Sequence, residues 1–254
     1  MDTLPLLRYN GPNRAGVGGD RVEPTQTLDK ISIAEQAVNL TEPFTMMDLA
    51  QIDDLTLSVF LCQGTMPFHR HVDQDELFLV HSGTISLESD WGTAVLRPGD
   101  LAVVPKGVGH RSSSLLRSLV LLLQPRLLVN RRNGHRRLFA IKSSGHLEKL
   151  SVPAMGRQVV SSFQPVPLAH LDTFVVNLSV CQGAGPPWVN REQNSLVLCY
   201  EGQVVVETAA GRTALAPGEL VVVPVGVTHR LSSRQRAVLL TVDRHPQPGL
   251  PPPD

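Results

Sequence analysis

What this sequence has little of narrows its class before any motif is read. Of its 254 residues only three are cysteine: Cys62, Cys181 and Cys199. An odd, low count with no zinc-type pairing excludes a disulfide framework and fits reduced thiols in the cytoplasm. None of the three has the histidine or helix-end context of an activated thiol. Charge of one sign is also missing, since 23 basic and 23 acidic residues cancel. Nucleic-acid binders and polybasic membrane binders need an excess of Lys and Arg, so neither kind of partner fits. The most apolar stretch, LLRSLVLLLQPRLLV (115–129), is interrupted by Arg117, Gln124, Pro125 and Arg126 and cannot span a bilayer. The opening residues, MDTLPLLRYNGPNRAG, hold no apolar core of signal-peptide length. The remainder is globular in composition and long enough to bury one large or two modest cores.

The strongest positive feature is an internal repeat. CQGTMPFHRHVDQDELFLVHSG, starting at Cys62, returns as CQGAGPPWVNREQNSLVLCYEG, starting at Cys181, an offset of 181 − 62 = 119. The same offset carries PGDLAVVPKGVGHR (98–111) onto PGELVVVPVGVTHR (217–230), KISI (30–33) onto KLSV (149–152), and Phe44 onto Phe163. Residues 30–123 therefore map without a gap onto 149–242. So long a period means two copies of one domain, because solenoid units run about 20–50 residues. Each copy reads as short alternating strands. LTLSVFL places Leu55, Leu57, Val59 and Leu61 on one face, and FVVNLSV does the same with Phe174, Val176, Leu178 and Val180. Gly and Pro between such strands signal tight turns, and the class is all-β.

Outside the copies lie an N-terminal extension (1–29), a linker (124–148) and a Pro-rich tail (243–254). The linker carries Arg131, Arg132, Arg136 and Arg137, read as a solvated face rather than an anion site.

The chemistry sits in the first copy. His69 and His71 are two apart, so on a strand their side chains share a face. Asp73 and Asp75 shape the turn that follows. Glu76 opens the strand ELFLV, which can bring its carboxylate to the same interior face. Phe78 and Val80 continue that face, and with Phe60 and Met66 they line an apolar pocket; Phe68 is a further wall candidate. His81 points outward. His110 begins a later strand, after Gly99, Pro105 and Gly107. The alternative is a set of polar turn residues that hold no metal.

These residues resemble the two motifs of the cupin superfamily. Gly64, His69, His71, Glu76 and Gly83 match the first motif, and Gly99, Pro105, Gly107 and His110 match the second. Two departures stand out. Only TMPF separates Gly64 from His69, and Ser114 stands where the family often has Asn. The resemblance implies two tandem jelly-roll barrels. It implies one divalent transition metal, Fe, Mn, Ni, Co or Zn, held by His69, His71, Glu76 and His110. It also implies a metal-dependent enzyme of the dioxygenase kind acting on a small organic molecule. Metal-dependent isomerisation, epimerisation or decarboxylation of a sugar or small acid is the alternative, and a non-catalytic ligand-binding cupin is the third reading.

The second copy has lost the site. Trp188 replaces His69, Asn190 replaces His71 and Ser195 replaces Glu76; only His110 keeps its counterpart, His229. One imidazole with an amide and a hydroxyl is a poor metal site. The expectation is a metal-free barrel, with Trp188 filling the vacated volume and the copy serving to pack against the first. A separate small-ligand pocket built on Trp188, Asn190 and His229 is the sharper reading. The two barrels pack within one chain or across a homodimer.

Overall fold

The computed structural model describes residues 27–125 and 145–244, so the linker arginines and the tail beyond residue 244 lie outside the described residues. The chain opens with β1 (Ile31–Ser32) and a short helix α1 (Ile33–Ala37), capped where Ser32 Oγ accepts from the Glu35 amide. The first barrel follows: β2 (Met46–Ile52), β3 (Leu55–Thr65), β4 (His69–Arg70), β5 (Glu76–Ser82), β6 (Ile85–Ser89), β7 (Gly92–Leu96), β8 (Asp100–Val104) and β9 (Gly109–Pro125). The pattern then repeats. β10 (Lys149–Ser151) leads into α2 (Val152–Gln158), whose cap Ser151 is the counterpart of Ser32. The second barrel holds β11 (Val166–Leu171), β12 (Phe174–Trp188), β13 (Ser195–Glu201), β14 (Val204–Thr208), β15 (Gly211–Leu215), β16 (Glu219–Val223) and β17 (His229–Arg244).

The long strands β9 and β17 close the barrels. The start of β9 pairs with β4 and β6, and its end with β5 and β3, so one strand curls the sheet back on itself. At the bend Ser114 Oγ donates to the Thr84 carbonyl at 2.7 Å, so the serine standing in place of Asn serves the corner of the barrel.

Alternation decides what each face does. On β3, Phe60 and Cys62 point into the first barrel, where they meet Phe78, Val80, Leu87, Leu96 and Leu122. The opposite face, Leu55, Leu57, Val59 and Leu61, does not meet solvent. It packs on Phe174, Val176, Leu178 and Val180 of β12, together with Leu196, Leu198 and Leu240, in one core shared by both barrels. Strands buried on both faces explain why β3 is buried from Leu55 to Cys62. The barrels therefore pack face to face within the chain.

Two details make the contact pseudo-symmetric. The opening strands are exchanged: β1 pairs with β16 of the second barrel (Ile31 opposite Leu220), and β10 pairs with β8 of the first (Leu150 opposite Leu101). Sheet membership thus departs from the copies 30–123 and 149–242 at their first strands. His81, pointing out of its own barrel, lies on Gly218, where a Cβ would come within 2.9 Å of its ring. Its counterpart Tyr200 lies on Gly99, where a Cβ would meet the phenol oxygen at 2.0 Å. Both glycines have φ near +81°, so backbone freedom and close approach both require glycine there. Among the described residues no helix is long and apolar enough to cross a membrane.

Candidate metal centre

The first-copy quartet converges. His69 on β4 sits directly opposite His110 at the start of β9. His71 follows β4, and Glu76 is the first residue of β5. The four ligand atoms lie within 4.8 Å of one another. The ring centroids of His69 and His110 are 4.5 Å apart, with His71 at 5.1 Å from His69 and 5.8 Å from His110. Glu76 and His110 are buried; His69 and His71 are half-buried toward the mouth.

Hydrogen bonds set which nitrogens are free. His69 Nδ1 is 2.9 Å from the Pro67 carbonyl, and His110 Nδ1 is 3.2 Å from the Val108 carbonyl. A carbonyl only accepts, so each Nδ1 carries a proton, and the neutral form of each ring presents its lone pair at Nε2. Burial holds His71 below its ordinary value of 6.5; neighbouring Glu76 pulls upward, and His69 and His110 add to the lowering. A neutral imidazole is the form that ligates.

The fit to a cation is tested by one contact. Glu76 Oε2 and His110 Nε2 face each other at 2.9 Å, both buried, and neither makes an aligned hydrogen bond. With His110 protonated at Nδ1 these are two acceptors without a donor between them. Such an arrangement costs free energy unless a proton or a metal ion lies there. Glu76 Oε1 lies 3.3 Å from His71 Nε2, so the carboxylate faces two imidazoles at once.

The loops that carry these groups are tied to the second barrel. The Gly107 amide donates to the His71 carbonyl at 2.7 Å. Asp75 accepts from the Lys106 amide at 2.9 Å and from the Asp172 amide at 2.8 Å. Asp172, at the β11–β12 turn, accepts in return from the Asp75 amide at 3.1 Å and from Lys106 Nζ at 2.6 Å. Asp75 shapes its turn, as its position suggests, and neither it nor Asp73 joins the quartet. Arg70 points away, to Asp90.

The quartet opens into a pocket of about 260 Å³ walled by Phe60, Met66 and Phe78. Two expected walls are corrected. Val80 follows the same alternation but is consumed in the barrel core with Ala102 and Val104. Phe68 is 47% exposed, its ring lying against Gly109 instead. Walls that strand patterning misses are Phe44, Met46, Gln74 and Gln124. Phe44 holds φ of +61°, unusual for a bulky residue, and Phe163 holds +60°; their recurrence at the 119 offset was the one signal pointing to them.

In the second copy no metal-ligating cluster forms among the described residues. Asn190 turns back, its Oδ1 accepting from the Glu192 and Gln193 amides at 3.1 and 3.2 Å. Trp188 keeps the register of His69, opposite His229, but does not fill the vacated volume: it is 60% exposed at the rim of the cavity it lines. Ser195 and His229 do face an interior cavity. Burial pushes the Cys181 thiol up to about 12 and Cys199 to about 11, so both are inert fillers.

Comparison with known proteins agrees with this fold. A family model described as a cupin domain matches residues 58–115. The uncharacterized protein YdbB of Bacillus subtilis is 30% identical over 89 residues, covering 35% of this chain and 79% of its own length. The fold is similar to a cupin 2 conserved barrel domain protein from Leptotrichia buccalis (TM-score 0.66, 10% identity, 86% of this chain and 98% of that one). It is also similar to a salicylate 1,2-dioxygenase from Pseudaminobacter salicylatoxidans (TM-score 0.61, 12% identity, 88% and 86%). A putative glyoxylate induced protein from Pseudomonas aeruginosa matches at TM-score 0.60, 12% identity, 94% and 97%.

Proposed function

This chain belongs to the cupin superfamily, and from that premise we propose that it is a metal-dependent oxidoreductase of the dioxygenase kind, acting on a small organic molecule in its first barrel. The observation that carries the reading is the convergence of His69, His71, Glu76 and His110 at the floor of an apolar pocket. A divalent transition ion held there supplies Lewis acidity and redox capacity. The chain's own residues do the rest. Three imidazoles and one carboxylate converge on one point. The Pro67 and Val108 carbonyls fix the ring tautomers of His69 and His110. Phe44, Phe60 and Phe78 exclude water from the ion's surroundings. Gln74 and Gln124, whose amides approach to 3.5 Å, give the wall a polar edge that orients a hydroxyl or carbonyl.

Among the described residues the pocket wall contains no Lys or Arg. A phosphorylated sugar needs such a cationic clamp, so this weighs against phosphosugar chemistry and toward a flat, weakly charged substrate. The test is oxygen uptake by iron-, manganese- or nickel-loaded protein offered catechol-like and 1,3-dicarbonyl compounds. Uptake lost in Glu76→Gln supports the reading. Protein that takes only zinc and consumes no oxygen with any of them sinks it.

A further inference from the structure

The second barrel keeps the pocket while losing the metal ligands. Its cavity of about 160 Å³ lies where the first pocket lies and shares most of its walls; the counterparts of Met66, His71 and Gln74 do not line it. Phe163 stands for Phe44, Ser179 for Phe60, Val197 for Phe78 and Asp243 for Gln124, each at the 119 offset. A barrel that had become mere packing would fill this volume. Instead one phenylalanine has become serine, another valine, and Met66 has become Gly185. Phe163 lies so close to Gly185 that a Cβ there would meet its ring at 2.6 Å. Leu231 in place of Ser112 and Trp188 in place of His69 both line the cavity and narrow it relative to the first pocket, without closing it.

The polar side chains along the cavity's lining include Ser179, Ser195, His229, Thr241 and Asp243. Ser195, 6% exposed, has a buried hydroxyl with no hydrogen-bond partner. His229, 5% exposed, places Nδ1 3.4 Å from the Val227 carbonyl, which leaves Nε2 as an acceptor. Burial holds this imidazole below its ordinary 6.5, so it is neutral. Asp243 accepts from Asn177 Nδ2 at 2.9 Å, and burial raises its carboxyl above its ordinary 3.8. Among the described residues no Lys or Arg lines the cavity. An unpaired buried hydroxyl is costly, and a ligand that supplies its partner recovers that cost. A cavity of about 150 Å³ lined by apolar groups accommodates one benzene-sized ring.

We propose that the second barrel is a metal-independent binding site for a small neutral hydroxylated ring of the phenol class. The ring lies between Phe163, Val197 and Leu239, and its hydroxyl donates to His229 Nε2 while accepting from Ser195 Oγ. The site selects against carboxylates, which find no cation and meet Asp243. The first barrel would take a ligand through its ion, so the two sites differ in charge preference.

The probe is phenol, with benzoate as the anionic control, titrated into chelator-treated full-length protein and followed by calorimetry and by the emission of Trp188 in a Trp91→Phe background. The expected result is saturable phenol binding at about millimolar Kd, as suits so small a ligand, and benzoate weaker by about tenfold or more. Val197→Phe and Ser179→Phe restore residues that the same frame already holds in the first barrel; they fill the cavity and abolish binding without unfolding the chain. Ser195→Ala, which should fold normally, weakens phenol by about tenfold, the loss of one buried hydrogen bond. His71→Ala leaves phenol binding unchanged. No saturable binding, equal affinity for benzoate, binding that survives Val197→Phe in a folded protein, or loss in His71→Ala each overturns the proposal.

Discussion

The two barrels share a backbone plan and differ in what they place at its mouth. At four equivalent positions the first holds His69, His71, Glu76 and His110, and the second holds Trp188, Asn190, Ser195 and His229. In the first, β4 and the residue after it bring His69 and His71 together, and a buried carboxylate meets them. In the second, β12 runs on through Pro187 to Trp188 with its side chain at the rim, and Asn190 serves its own turn. The comparison teaches that a barrel of this kind keeps its fold on the apolar faces alone. Those faces are intact in both copies and merge in one shared core. The ligand positions carry chemistry and little structure, so one copy can lose them and stand.

If the shared core holds both barrels, deep truncation on either side of it should cost the same kind of loss. Leu57→Ala in the first barrel and Leu178→Ala in the second are each expected to destabilise the whole chain by about 2–5 kcal/mol. Urea unfolding followed by far-UV dichroism should show one transition shifted in both variants. Two separate transitions, with only one moved, would mean that the barrels are independent.

A smaller effect tests whether the second barrel serves the first site. Asp172 braces the loop between His71 and Glu76 through Asp75 and Lys106. It has φ of +51°, so asparagine is the replacement that the backbone tolerates best. Asp172→Asn is expected to weaken metal affinity in the first barrel by about tenfold, in the range of outer-sphere changes, with little change in the unfolding midpoint. The mirrored contact, Asn194 Nδ2 to Asp53 Oδ1 at 3.0 Å, braces a turn with no metal behind it. Asp53→Asn should leave metal affinity as it is. Equal losses in the two variants would remove the asymmetry.

The smallest effect is on pH dependence. Burial holds His71, His81 and His229 below their ordinary 6.5 in the folded chain. Near and below that value the unfolded chain takes up protons that the folded chain refuses, so stability is full above 6.5 and declines as pH falls toward the folded values. Asp243 works in the opposite sense, so the histidine variants decide the matter. In metal-free protein His229→Gln and His81→Gln should each flatten the decline of Tm between about pH 7.5 and 5.5. An unchanged slope in both would contradict the assignment.

Much of this was legible in the residues. The alternation in LTLSVFL marks a strand whatever it packs on, and the spacing of His69, His71 and Glu76 marks one interior face. The partner of the outer apolar face was not legible, because Leu55, Leu57, Val59 and Leu61 would look the same against another barrel of the chain or against a second chain. The exchange of β1 and β10 was hidden for a similar reason: KISI and KLSV are interchangeable strands, and either pairing satisfies the same backbone groups. Val80 and Trp188 were misplaced by one assumption, that direction on a strand fixes depth in a barrel. Val80 points inward but is used up in the core, and Trp188 replaces an inward histidine but stays at the cavity's rim, 60% exposed. Period-two alternation gives a side and not a depth.

The most direct test of the account is the metal content of chelator-free, tag-free protein, measured by elemental analysis for the native chain and for His71→Ala. The account predicts close to one equivalent of a divalent transition metal per chain in the native protein and a large loss in the variant, because among the described residues only the first barrel assembles a ligand set. A native chain that holds no metal even when loaded, or one that holds two equivalents with one surviving His71→Ala, would contradict the division between the barrels.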